Sequence, residues 1–152
     1  MVRSGMRARP RGNTVVALAV LCAVAGIGAA APVPGSVRIE SAAAGPTGRT
    51  AAVTYTYLCE PEQEAASFAV RLSAPATGAV SGVTHVREPQ VCDGRRHTRT
   101  DMVAADPAAP DFRPGDSVVA RVLMTVAGSG VAAAELTSSN ATASASRAMV
   151  LD

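Results

Sequence analysis

The 152-residue chain contains no lysine and no tryptophan, and its aromatics are confined to Tyr55, Tyr57, Phe68 and Phe112. The absence of lysine beside abundant alanine reflects GC-rich codon usage and says nothing of function. The shortage of aromatics is more telling. Sugar-binding surfaces stack ligands on exposed Trp or Tyr faces, whereas Tyr55 and Tyr57 here share an alternating row with Val53 and Cys59, which assigns them to the core. That core must be made chiefly of Val, Leu, Ala and Met.

Histidine is equally scarce. A metal centre needs three or four converging ligands, and the candidates His85, His97, Asp93 and Asp101 show neither HxH nor HExxH spacing. No metal or other cofactor is expected. There is no GxSxG elbow to expose a nucleophile, and the serines lie in runs such as SSNATASAS, whose composition suits a sheet surface. Phosphate-loop and dinucleotide fingerprints are missing, so a non-enzyme is expected, with a small hydrolase as the weakest alternative. The sequon Asn140-Ala141-Thr142 is read as chance.

Long apolar runs are also lacking. The longest, VVALAVLCAVAGI from Val15 to Ile27, falls short of the roughly 20 residues that span a bilayer. It follows Arg3, Arg7, Arg9 and Arg11 and ends in Gly28, Ala29, Ala30 and Ala31, the layout of a secretory signal peptide over 1–30 with cleavage after Ala30. Cys22 lies mid-run behind Leu21, which argues against lipidation, and no paired arginines mark a twin-arginine signal. Secretion to the extracellular space without membrane insertion is expected. The leader also carries the excess positive charge. From Ala31 onward ten arginines face twelve acids, so the formal charge moves from +2 to −2, and no nucleic-acid partner is predicted.

What remains reads as one all-β domain over 37–152, preceded by a flexible mature N-terminus at 31–36. In TAAVTYTYLC, Val53, Tyr55, Tyr57 and Cys59 share one face; in SFAVRLS, Phe68, Val70 and Leu72 alternate with polar or small residues; in DSVVARVLMTV, Val118, Ala120, Val122, Met124 and Val126 form one row. Weaker strands are predicted at 37–40, 80–86, 97–104 and 146–151. Gly45-Pro46-Thr47-Gly48, 75–78, Asp93-Gly94, 106–110 and Pro114-Gly115-Asp116 supply turn chemistry. About seven short strands at this spacing predict a single antiparallel β-sandwich of immunoglobulin-like kind. The 131–139 segment fits a strand or a helical turn equally well, and 104–111 is expected to be a mobile surface loop.

With Cys22 removed, an exported chain keeps Cys59 and Cys92, which predicts one disulfide. Closing that loop stabilises the fold by roughly 3–4 kcal/mol on the chain-entropy account. Cys92 opens the densest polar cluster, VCDGRRH, which is read as a strand end, an Asp93-Gly94 turn and a strand start. Beyond it Thr98, Thr100, Met102 and Ala104 are expected to form the buried row, with His97, Arg99 and Asp101 facing solvent. Arg95, Arg96 and His97 are the candidate ligand contacts, and the two arginines suit an anionic envelope polymer.

The order TYTYLC, VCDGRRH, RPGDSVVARV resembles a group of small secreted immunoglobulin-like proteins of unknown function from high-GC Gram-positive bacteria. The resemblance implies export, a disulfide and a sandwich, and it brings no catalytic residues with it. The expectation is therefore a secreted, non-enzymatic binding or structural module that meets a protein or cell-envelope partner through loops or a sheet edge. A secreted proteinase inhibitor, presenting a rigid loop beside the disulfide, is the alternative.

Overall fold

A computed structural model describes residues 35–86, 88–127 and 129–152. The leader predicted over 1–30 and the mature N-terminus up to residue 34 lie outside the described residues.

Among the described residues nine strands form: β1 (Ser36–Ala44), β2 (Thr50–Leu58), β3 (Ala65–Ala74), β4 (Ala79–Val80), β5 (Thr84–His85), β6 (Gln90–Val91), β7 (Arg96–Ala104), β8 (Ser117–Val126) and β9 (Ala143–Val150). All pairings are antiparallel. One sheet has the order β1-β2-β7; the other runs β4-β3-β8-β9, with β5 and β6 also pairing along β3. The nine exceed the expected seven because two short pieces were not separable by pattern. The strand predicted over 80–86 is interrupted at Ser81, which is buried and whose Oγ accepts the Leu72 N–H at 2.9 Å while its own N–H donates to the Leu72 carbonyl at 2.9 Å. The chain then rejoins β3 as β5. The ambiguous 131–139 segment resolves as a 3-10 turn at Ala133–Glu135.

The strands form where β-branched and aromatic residues alternate, because a pleated strand sends successive side chains to opposite faces. The inward rows of β2, β3 and β8 meet in one apolar cluster that includes Val53, Tyr55, Tyr57, Phe68, Val70, Leu72, Val118, Val122 and Met124. Three of the four aromatics concentrate at its centre, with ring centroids 5.2 Å apart for Tyr55–Phe68 and 4.9 Å for Tyr57–Phe68. Tilted pairs of this kind add about 0.5–1.5 kcal/mol each beyond area burial.

The two sheets are joined along both sides. The Ala44 N–H donates to the Asp152 carbonyl and the Asp152 N–H to the Ala42 carbonyl, while Arg147 reaches from β9 to the carbonyls of Ile39 and Glu40, at 2.8 and 2.9 Å, where the β1 register shifts. On the opposite side Ser81 bridges Ala105, and the Asp106 N–H donates to the Val80 carbonyl. The 104–111 loop, expected to be mobile, is pinned instead. Arg49 ion-pairs with Asp111 at 2.7 Å and also donates to the carbonyls of Asp106 and Ala109, and Phe112 beyond it is buried with its N–H on the Gly48 carbonyl. Gly48 has φ +71°, and a side chain there would collide with the Phe112 backbone.

The expected facing of β7 is reversed. Asp101 and Val103 are buried, and His97 and Arg99 half-buried, whereas Thr98, Thr100 and Ala104 are exposed and Met102 is 53% exposed. The β2–β7 register is the cause: Val53 lies opposite Asp101, Tyr55 opposite Arg99 and Tyr57 opposite His97. Directly paired residues share a face, so burying the tyrosines of β2 carries the charged row of β7 inward with them.

Candidate functional site

The cluster Val91 to His97 forms where β6 leaves one sheet and β7 enters the other. Cys59, just after β2, and Cys92, just after β6, form a disulfide with Cα atoms 4.9 Å apart. Gly94 turns the chain at φ +73°, a conformation that glycine adopts without steric cost, and its N–H donates to the Cys59 carbonyl at 3.0 Å. Asp93 caps the turn. Its Oδ1 accepts the Arg95 N–H at 2.9 Å and lies 2.8 Å from His97 Nε2. These two bonds, the His97 contact foremost, hold the Asp93 carboxyl below the ordinary carboxylate range. The His97 ring stacks on Tyr57, with centroids 5.4 Å apart and planes 25° from parallel. Burial pushes the Tyr57 phenol up, and its hydroxyl donates to the Val91 carbonyl at 3.4 Å.

A second polar group lies two residues further along the same row. Asp101, 8% exposed, accepts the Tyr55 hydroxyl at 2.6 Å and Arg99 Nε at 2.9 Å, with Arg99 Nη2 2.8 Å away. The phenol of Tyr55 is pushed far above its ordinary value, first by burial and then by its bond to Asp101. Arg99 is likewise held more firmly charged, chiefly by its bond to Asp101. Sequence reasoning missed this trio. The signal was present as Arg99-x-Asp101, two charges on one face, but recognising it required the register to β2.

The candidate contacts do not converge. Arg95 belongs to the turn and Arg96 opens β7, both exposed, while His97 points the opposite way from Arg96 and faces Tyr57. Neither Arg95 nor Arg96 makes an ion pair among the described residues. His85 sits on the other sheet opposite Ala69, its Nδ1 buried without a hydrogen-bond partner. Among the described residues no three of the His, Cys, Asp and Glu side chains gather as metal ligands. The His97 side chain hydrogen-bonds Asp93, and among the described residues no hydroxyl or thiol is hydrogen-bonded to its ring.

What the cluster does provide is an anchored start for an edge strand. Among the described residues β7 pairs only with β2 in its sheet. The Ala105 N–H donates to the Arg49 carbonyl, and the register runs without a break from Thr50–Ala104 to Leu58–Arg96. Antiparallel strands alternate their bonding directions, so Asp101, Arg99 and His97 bond toward β2, and Thr98, Thr100 and Met102 turn their N–H and C=O groups away from it. No hydrogen bond to those outward groups occurs among the described residues. Val91, 62% exposed, and Met102, 53% exposed, are the large apolar side chains near this edge.

Compared with protein-family models, with curated proteins and with solved structures, the chain finds no match in any of the three.

Proposed function

We propose that the chain is an exported, non-enzymatic binding module of immunoglobulin-like β-sandwich form, and that it takes an extended segment of a partner protein along the free edge of β7. The observation that carries this reading is the row of outward, unbonded backbone groups at Thr98, Thr100 and Met102. An edge of this kind is a template for an added strand: main-chain bonds supply affinity, and side chains to either side supply selectivity. The face-to-face cluster of two antiparallel sheets and the disulfide between them support the sandwich. The pairing of His97 with Asp93, and of Asp101 with Arg99 and Tyr55, supports a structural role for these polar groups.

The test is selection from a random peptide library followed by binding to the Thr98→Pro variant. Proline at that position deletes one outward donor and leaves the bonds to β2 intact. Selected peptides should bind wild type and lose about tenfold or more against Thr98→Pro, the order of one or two main-chain hydrogen bonds. N-methylation of alternate peptide residues should do the same. Binding that ignores both changes would place the contact elsewhere. A panel of ester, peptide and glycoside substrates should show no turnover that His97→Ala or His85→Ala removes.

A further inference from the structure

On the face of the β4-β3-β8-β9 sheet that points away from the core, Arg71 of β3 stands directly opposite Arg121 of β8. Directly opposed residues on one face have Cβ atoms roughly 4.5–5.5 Å apart, and like charges so placed repel. Elsewhere the chain pairs such groups, as in Arg38–Glu40, Arg49–Asp111 and Arg99–Asp101. All twelve acids belong to the described residues, yet none forms an ion pair with Arg71 or Arg121. Two exposed guanidiniums are thus held side by side on a rigid sheet without a counter-charge.

The same two arginines form the wall of a recess of about 200 Å³. Its floor is Leu123 of β8, covered by Leu136, which follows the 3-10 turn and packs with Ala69 and Leu123 in a small apolar cluster separate from the main core. Val83 and Thr137 complete the rim. The recess therefore has one doubly cationic side and one apolar side.

From this juxtaposition we infer that Arg71 and Arg121 clamp the head of a phosphate monoester whose apolar substituent lies against Leu123 and Leu136. A phosphate monoester carries about −1.5 to −2 at neutral pH and matches two guanidiniums, whereas a carboxylate leaves one uncompensated. Arginine suits the role because its planar fork meets two oxygens at once. The recess holds a short alkyl or small cyclic body, below the roughly 300–1,000 Å³ of sites for larger ligands. This site lies on the other sheet from the β7 edge and does not depend on strand addition there.

Calorimetric titration of the disulfide-intact protein at low salt with hexyl phosphate, inorganic phosphate and hexanoate tests the assignment. Hexyl phosphate should bind one to one and more tightly than either of the others. Arg71→Ala and Arg121→Ala should each weaken it by about tenfold or more, as expected for loss of a charge-assisted pair. Leu136→Ala should erase the preference for hexyl over inorganic phosphate. Arg121→Gln offers a readout that misfolding would not mimic: with the repulsion relieved, its ligand-free melting temperature should rise above that of wild type while the rise caused by hexyl phosphate disappears. Absence of saturable binding, binding that survives loss of both arginines, hexanoate binding as tightly as hexyl phosphate, or a lower ligand-free melting temperature for Arg121→Gln would each overturn the proposal.

Discussion

Replacing Asp101 by alanine should be among the more damaging single changes in the β2–β7 pair, although Asp101 is a charged residue on an edge strand. The substitution removes the acceptor of the Tyr55 hydroxyl, which is completely buried, and the ion-pair partner of Arg99. A hydrogen bond to a charged group is worth about 1.5–3 kcal/mol when its partner is left unsatisfied. The Arg99 side chain is 27% exposed, so its contribution is discounted toward the surface range of about 0–1 kcal/mol. Together these give a loss of about 1.5–4 kcal/mol in urea unfolding at neutral pH with the disulfide intact. Tyr55→Phe should cost about 1.5 kcal/mol, because Asp101 keeps Arg99. The double variant should cost less than the sum by about 1 kcal/mol or more, since Phe leaves no hydroxyl to strand. The same trio predicts an alkaline limb. The Tyr55 phenol is raised from an ordinary value of 10.0, so its stabilising effect is complete below pH 10 and is lost as pH climbs toward the folded-state value. The slope there approaches about 1.4 kcal/mol per pH unit for one proton, and Tyr55→Phe should flatten it. An Asp101→Ala variant within about 0.5 kcal/mol of wild type, or strict additivity in the cycle, would refute the reasoning.

Other outcomes follow from the stapled turn and from the proposed export. Cys92→Ala, opening a bridge between residues 33 apart, should lower stability by about 2–5 kcal/mol, and a thermal melt insensitive to reductant would contradict the staple. Because the Asp93 carboxyl is held below its ordinary value of 3.8, its contribution is present above that pH and is lost as pH falls through the lower folded-state value; Asp93→Asn should flatten the acid limb, and identical acid limbs would count against the Asp93–His97 contact. Intact-mass analysis of protein from the culture medium should give a start near Ala31, whereas a cytosolic product retaining Met1 would remove export from the account.

The long strands were legible because their alternation is strong. Val53, Tyr55 and Tyr57, the Phe68–Leu72 row and the Val118–Met124 row all occupy the faces that their period of two requires. The disulfide was legible from counting. The short strands β4, β5 and β6 were not, because two residues carry no period, and the break between β4 and β5 depends on one serine bonding to Leu72. The facing of β7 was misread for a definable reason. Thr98, Thr100, Met102 and Ala104 looked more apolar than His97, Arg99 and Asp101, but local polarity does not decide facing when the neighbouring strand brings two tyrosines to the core and their register partners are Arg99 and His97. The Arg71–Arg121 opposition was likewise invisible, since residues 50 apart become neighbours only through the β3–β8 register. The VCDGRRH cluster was legible as a turn between strands, whereas the stack of His97 on Tyr57 and its hydrogen bond to Asp93 emerge only from the β2–β7 register.

Residue-resolved amide exchange along β7 tests the proposed strand addition most directly. In the free protein the amides of His97, Arg99 and Asp101 should exchange slowly, being bonded to β2, and those of Thr98, Thr100 and Met102 quickly, being directed away from it. Addition of a peptide selected for binding should protect the second set and leave the first unchanged. Fast exchange of Thr98, Thr100 and Met102 that persists in the complex, or protection of all six amides in the free protein, would contradict strand addition at β7.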